Sequence, residues 1–303
     1  MSLGQLRELS EGVYAYLQPD GSWYLNNTGF LTGGPGVISV DTTSTERRTR
    51  AYLDAIAGVT SEPVRTLVST HHHGDHTHGN YLMTGATIVG HERCREALLA
   101  TPVPPPPGIW AEVDWGHLVP APPFLTYTEG VTLWSGDLRC EVRYVGTPAH
   151  TTNDSIVHIP DRSIVFAGDL LFNGGTPFAL MGSVDGWIEA LETVLRPLGA
   201  QTLVPGHGPV CGPEVIDEVL GYLRFVQDTA RQGRAAGLPP LEAARSADLG
   251  EFEDLTDSER IVGNLHRAYL ELDGAQRGAP VDLLKAFGDM VAYNGGRPLS
   301  CHA

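Results

Sequence analysis

Along this chain, short β-prone bursts alternate with longer stretches of helically spaced apolar residues. Val13-Tyr14-Ala15-Tyr16-Leu17, Asn27-Thr28-Gly29-Phe30-Leu31 and Gly36-Val37-Ile38-Ser39-Val40-Asp41 read as strands, with turn signals at Pro19-Asp20-Gly21 and Gly33-Gly34-Pro35. Tyr52, Leu53 and Ile56 give residues 45–57 a helical spacing. Val64 to Ser69 is a short strand, 86–90 another, and 91–100 a helix. Strands resume at 131–134 and 138–145, and 155–159 with 163–167 form a hairpin across Pro160-Asp161-Arg162. A helix at 185–196 precedes Thr202-Leu203-Val204, a strand ending at the Pro205-Gly206-His207 turn. The chain then turns helical, at 213–232, at 280–292 and in a helix running to about 272. Thr256-Asp257-Ser258-Glu259 opens that last helix with the form of a capping box. Two β-then-α stretches, 12–100 and 131–232, predict an α/β fold whose halves pack as an αβ/βα sandwich. Residues 1–232 form the main domain of this reading, and 233–303 a helical C-terminal extension packed on it.

One segment breaks the pattern. Thr101-Pro102-Val103-Pro104-Pro105-Pro106-Pro107-Gly108 is stiff and extended, and Trp110, Trp115, His117 and Phe124 follow in the same loop, 101–126. Composition adds exclusions. With 303 residues and 42% hydrophobic content the chain can bury a sizeable core. A net charge of −16 argues against a nucleic-acid partner, which needs a basic footprint. Cys94, Cys140, Cys211 and Cys301 have no C-x-x-C spacing and no disulfide framework, and Cys211 is expected to be a small buried or loop residue. No apolar run is long enough for a membrane span, and the first residues carry no leader signature. The expected location is the cytoplasm.

The chemistry gathers at strand ends. Thr70-His71-His72-His73-Gly74-Asp75-His76 leaves the strand at 64–69, at the edge where open α/β sheets bind ligands. His71-x-His73 does not suit a helix, but on a loop both rings can face one point, with Asp75-His76 continuing round to a second. His150, Asp169 and His207 follow in Thr147-Pro148-Ala149-His150-Thr151, Phe166-Ala167-Gly168-Asp169 and Pro205-Gly206-His207-Gly208. Neutral imidazoles and carboxylates are what divalent zinc accepts. Five histidines and two aspartates are enough for two ions.

This ordered set resembles the metallo-β-lactamase superfamily, over roughly residues 12–225. The resemblance implies the αβ/βα sandwich and makes 1–232 a catalytic domain. It implies that His71, His73 and His150 bind one metal, that Asp75, His76 and His207 bind the other, and that Asp169 bridges them. Zinc is the expected metal, two ions per chain, with iron or manganese as alternatives. His72 and His78 are expected to face solvent or to support the ligands from behind, and Asp41 to support the histidine loop. Asn153 or Asp154 would orient imidazole N–H groups or simply make a turn. Ala149 departs from the glycine that many family members carry there. His73 departs from the glutamate of the flavodiiron relatives and argues for hydrolysis. Asp169, where the best-known zinc β-lactamases use a cysteine, gives the bridged form of glyoxalase II and the lactonases.

The reaction so implied is hydrolysis by a metal-bridging hydroxide, with Asp75 as the catalytic residue that orients it and shuttles its proton. The expected substrate is a small, apolar or aromatic ester, thioester, lactone or amide. Trp23, Trp110, Trp115, Phe124, Phe172, Phe178 and Met181 are the expected pocket residues, with Tyr24 beside them. The alternatives are a β-lactamase, a dehalogenase or alkylsulfatase, an iron-dependent persulfide dioxygenase, and a metal-binding protein without catalysis. A β-lactamase is disfavoured by Asp169 and by the lack of a lysine near 207–224, where only Arg224 could clamp a carboxylate. The helices after 232 are expected to cover the pocket or to form a dimer face.

Overall fold

A computed structural model of the chain describes residues 3–18 and 20–303. Pro19 of the first expected turn lies outside the described residues, as do Met1 and Ser2. Two sheets face each other. The first runs in chain order: β1 (Gln5–Ser10), β2 (Val13–Leu17), β3 (Thr28–Leu31), β4 (Val37–Val40), β5 (Val64–Ser69), β6 (Thr87–His91) and β7 (Leu125–Tyr127). It is an antiparallel meander through β4 and parallel from β4 to β7. The second has the order β12 (Thr202–His207), β11 (Ile164–Phe172), β10 (Ser155–Ile159), β9 (Leu138–Tyr144) and β8 (Gly130–Ser135). Only its β11–β12 pair is parallel.

The parallel pairs need crossovers, and helices supply them. α1 (Glu46–Ala57) joins β4 to β5, and α3 (Glu92–Ala100) leads from β6 towards β7. Between them, after β5, lies the single turn α2 (Gly74–Thr77). α4 (Val184–Ala190) joins β11 to β12 and is prolonged by a wide π turn at Leu191–Leu195. After β12 come α5 (Glu214–Ala235), α6 (Pro240–Ser246), α7 (Arg260–Leu272) and α8 (Leu283–Tyr293).

Burial gives the layers. Val40, Val68 and Val89 of the first sheet meet Val157, Ile164 and Val204 of the second in one core. On the outer side, Phe30 and Leu67 pack on Tyr52 and Ile56 of α1. Against the second sheet, Leu170 shares a core with Trp187, Leu223, Leu265 and Met290. The result is helix, sheet, sheet, helix, the expected sandwich with extra C-terminal helices. β11 is buried at all nine positions, which is why its sequence does not alternate and is apolar except at Gly168 and Asp169. The line at 232 falls inside the last turn of α5, and the core continues across it into α7 and α8.

The structure departs from the sequence reading at several points. β1, β7, α2 and α6 were not foreseen. The capping box at Thr256 does not form: α7 begins at Arg260, and no side chain caps it. Thr256 instead pairs with Gly175 as an isolated β-bridge, and Glu259 accepts the Trp23 indole N–H over 2.7 Å. The segment after Pro107 is pinned where Trp110 pairs with Leu299, through Ala111 N–H to Leu299 O and Leu299 N–H to Ile109 O, 2.8 Å each.

Candidate metal centre

Seven side chains converge: His71, His73, Asp75 and His76 follow β5, His150 lies between β9 and β10, Asp169 is within β11, and His207 ends β12. Four of the five imidazoles are oriented from behind. Asp41, with φ +59, accepts the backbone N–H and the hydroxyl of Thr70 at 2.7 Å each, and Nδ1–H of His76 at 2.8 Å. The Thr70 hydroxyl is thereby left to accept from His71 Nδ1 at 3.1 Å. His150 Nδ1 donates to Phe178 O at 2.5 Å, and His207 Nδ1 to Gly21 O at 3.1 Å. These bonds fix the tautomers, so Nε2 of His71, His76, His150 and His207 is the free lone pair.

The free atoms fall into two sets that share one carboxylate. His71, His73, His150 and Asp169 offer donor atoms within 4.8 Å of one another, and so do Asp75, His76, Asp169 and His207. In the first set His150 Nε2 lies 2.8 Å from His73 Nδ1 and 3.2 Å from Asp169, with His71 Nε2 at 3.9 Å from Asp169. In the second, His76 is 2.9 Å from Asp169, and His207 is 3.2 Å from Asp75 and 3.3 Å from Asp169. Tetrahedral zinc with bonds of roughly 2.0–2.1 Å would space its donors by about 3.3–3.4 Å, and these separations bracket that value. His71 Nε2, His76 Nε2 and Asp169 Oδ1 are buried without a hydrogen-bond partner. Such orphans are rare unless an ion satisfies them, so the residues fit a pair of divalent cations. Gly206 makes room for the shared carboxylate: a Cβ there would stand 1.9 Å from Asp169 Oδ1.

Without a cation the imidazoles divide, and an ion at the second set would take the place of protons. Burial, and then the neighbouring imidazoles, hold His71 and His73 well below the ordinary histidine value. At His207 burial is outweighed by Asp169 and Asp75, which lift it to about 9, and His76 is raised well above its ordinary value in the same way. Asp169 and Asp75 stay ionised despite burial because His207 and His76 face them.

The surrounding positions resolve as follows. His72 and His78 are both buried rather than facing solvent: His72 Nδ1 meets Asn153 at 3.0 Å, and His78 Nδ1 meets Ser44 O at 3.0 Å. Asp154 makes a turn, accepting from Thr151 N–H and its hydroxyl at 2.7 Å. Ala149 does not adopt a positive φ, so the missing glycine costs nothing there. Cys211 lies in a bridge to Leu203, outside the cleft.

The donors floor a cleft of about 470 Å³, counted out to its mouth. Trp23, Trp110, Phe172, Phe178 and Met181 line it. Trp115 and Phe124 do not: Trp115 packs behind Tyr24, and Phe124, next to the edge strand β7, is 86% exposed. Tyr24, named beside the expected pocket residues, also lines it, and two lining residues, Arg260 and Phe287, were missed. Arg260 lies 4.1 Å over the Trp23 ring and 5.2 Å from Phe172, with Asp257 at 2.8 Å. Nothing in the local wording around Arg260 or Phe287 signals a cleft 50 to 80 residues upstream. Arg224 is on the surface, paired with Glu192 at 2.5 Å.

A family model for the metallo-beta-lactamase superfamily matches residues 21–207, which hold all seven converging residues. A hydroxyacylglutathione hydrolase of Rhodospirillum rubrum is 30% identical over 191 residues, 61% of this chain and 63% of that one. One of Brucella ovis is 28% identical over 144 residues, 46% of this chain and 47% of that one. The chain thus spans about half to under two thirds of these relatives' length. Among solved structures, a metallo-beta-lactamase from Pontibacter korlensis superposes with a TM-score of 0.60 at 20% identity, covering 73% of this chain and 99% of that one. That last likeness is one of fold. By its matched residues, its sandwich and its converging histidines and aspartates, the chain belongs to the metallo-β-lactamase superfamily.

Proposed function

We propose that this chain is a zinc-dependent hydrolase of small, uncharged acyl substrates with an apolar or aromatic part: esters, thioesters, lactones or amides. The observation that carries the reading is the pair of donor sets sharing Asp169 on the floor of a cleft walled by aromatic rings. The donor sets hold imidazoles and carboxylates and no thiolate, which suits zinc, and metal analysis of the purified protein would tell it from iron or manganese. When bound, two such ions supply Lewis acidity and lower the pKa of water towards about 7.

The chain's own residues do the rest. Asp41, Thr70, Phe178 O and Gly21 O keep the imidazoles aimed, so little reorganisation is left for the moment of reaction. Asp75 lies at the cleft surface, ionised, and in this reading its carboxylate takes the proton from the attacking water and returns it to the leaving group. The rings of Trp23, Trp110, Phe178 and Phe287 exclude water and hold the apolar part.

Charge on the wall narrows the class. Among the described lining residues Arg260 alone carries a permanent positive charge, and Asp257 neutralises it. A substrate carboxylate would find no free cation there. This weighs against a β-lactam and against the acylglutathione named for the relatives. The test is hydrolysis by the zinc-loaded protein of an aryl ester, an acyl thioester, a lactone, a cephalosporin, a phosphodiester and an aryl sulfate, each beside Asp75→Ala. We expect Asp75-dependent turnover of the neutral acyl compounds. Turnover confined to the cephalosporin, phosphodiester or sulfate would sink the reading.

A further inference from the structure

Tyr24 breaks a local rule. Leu25 N–H donates to Ser22 O at 3.0 Å and closes a four-residue turn. Tyr24, at the third position, has φ +64. Glycine or asparagine normally takes that place, and an aromatic residue there is strained. Such strain persists only where the surroundings over-determine it, and it clusters at functional sites. Here the surroundings are an aromatic cage: the Tyr24 ring stands edge-on to Trp110 at 5.1 Å and to Trp115 at 4.8 Å, and lies over His78 at 6.2 Å.

The cage leaves a polar group open to the cleft: Tyr24 is half-buried, and its hydroxyl is not one of the sealed-off polar atoms. Among the described residues none hydrogen-bonds the Tyr24 hydroxyl, although the residue lines the metal cleft with Asp75 as its main charged neighbour. Of the other polar side chains of the wall, Trp23 Nε1 donates to Glu259 and Arg260 binds Thr176 O and Asp257, while Trp110 Nε1 is fully buried and cannot reach a ligand in the cleft. A phenol keeps its proton at neutral pH, so Tyr24 is a standing donor.

We propose that the Tyr24 hydroxyl donates a hydrogen bond to the acyl oxygen of the substrate, beside Asp75, and so sets how the scissile carbonyl enters the cleft. This rests on the hydrolase reading above. It also explains why a strained aromatic is retained at a glycine position: the φ fixes the direction of the ring, and the cage fixes its depth.

The test is Tyr24→Phe, which keeps the ring and the cage and removes only the hydroxyl. Two readouts are compared with wild type in the zinc-loaded protein: kcat and KM on 4-nitrophenyl acetate, and calorimetric binding of phenylacetone, an uncharged ketone that keeps the carbonyl oxygen and has no bond to hydrolyse. We expect kcat to fall about tenfold or more and phenylacetone to bind about tenfold more weakly, with metal content and Tm unchanged. Wild-type values for both in the variant would overturn the proposal, as would wild-type protein that does not bind phenylacetone. Wild-type protein that binds phenylacetone but hydrolyses no ester would defeat the hydrolase reading alone, because the binding arm still decides the role of Tyr24.

Discussion

On the floor of the cleft the imidazoles of His71, His76, His150 and His207 are each tied from behind by a hydrogen bond, whereas on the wall the aromatic rings are held mainly by one another. The unpartnered atoms differ as well. Those of the floor, His71 Nε2, His76 Nε2 and Asp169 Oδ1, point to an ion, while those of the wall, Trp110 Nε1 and Arg260 Nε, are donors that no described group accepts. The floor comes from residues 71–207, and the wall from five separate stretches, two of them beyond 232. A floor tied this tightly serves one chemistry. A wall of rings in mutual contact can be recut for another substrate without touching that chemistry.

Three changes break or sharpen this contrast. The largest effect is expected at Arg260. Its side chain and that of Asp257 are only 2% and 6% exposed. Arg260→Met strands a buried carboxylate, which should cost about 3–5 kcal/mol. Adding Asp257→Asn should return much of that in a denaturant melt. If the single variant melted like wild type, Arg260 would not be the neutralised wall group described here, and a free anion-binding role would be open again.

Next comes Asp41→Asn. It leaves every donor in place and weakens only the hold on Thr70 and His76, so metal affinity should fall about 10–100-fold. Competition with a chelator measures this, and an unchanged affinity would mean that the floor does not depend on its support. The smallest effect is in pH. His207 is raised from 6.5 to about 9 in the metal-free protein. A raised folded value stabilises fully below the unfolded value and is lost as pH climbs through the folded one. The Tm of the metal-free protein should therefore decline from about pH 6.5 to 9, while the metal-loaded protein, whose imidazoles are already deprotonated, should not follow it. Parallel curves would contradict this.

The floor was legible in the sequence because its chemistry is local. A His-x-His-x-Asp-His turn, and single His or Asp residues in set wording after apolar runs, already say which strand ends must meet. The sandwich followed from the two β-then-α stretches. The wall was legible only in part. Phe172, Phe178 and Met181 were found because they follow Asp169 directly. Phe124 was misplaced because an aromatic beside a proline-rich loop looks the same whether the loop turns inwards or runs on to an edge strand. Arg260 and Phe287 were invisible, since their place depends on how α7 and α8 fold back over the second sheet. Thr256 to Glu259 fits a capping box in every local respect, yet long-range partners, Gly175 and Trp23, claimed both ends of it.

The bridge between Trp110 and Leu299 has a consequence in time. Synthesis runs from the N-terminus, and domains fold as their residues emerge. The last floor donor, His207, is made well before Arg260, Phe287 and Leu299. The stretch that carries the donors is thus made before the residues that complete the wall, and the side of the cleft formed by Trp110 is pinned only once residue 299 is in place.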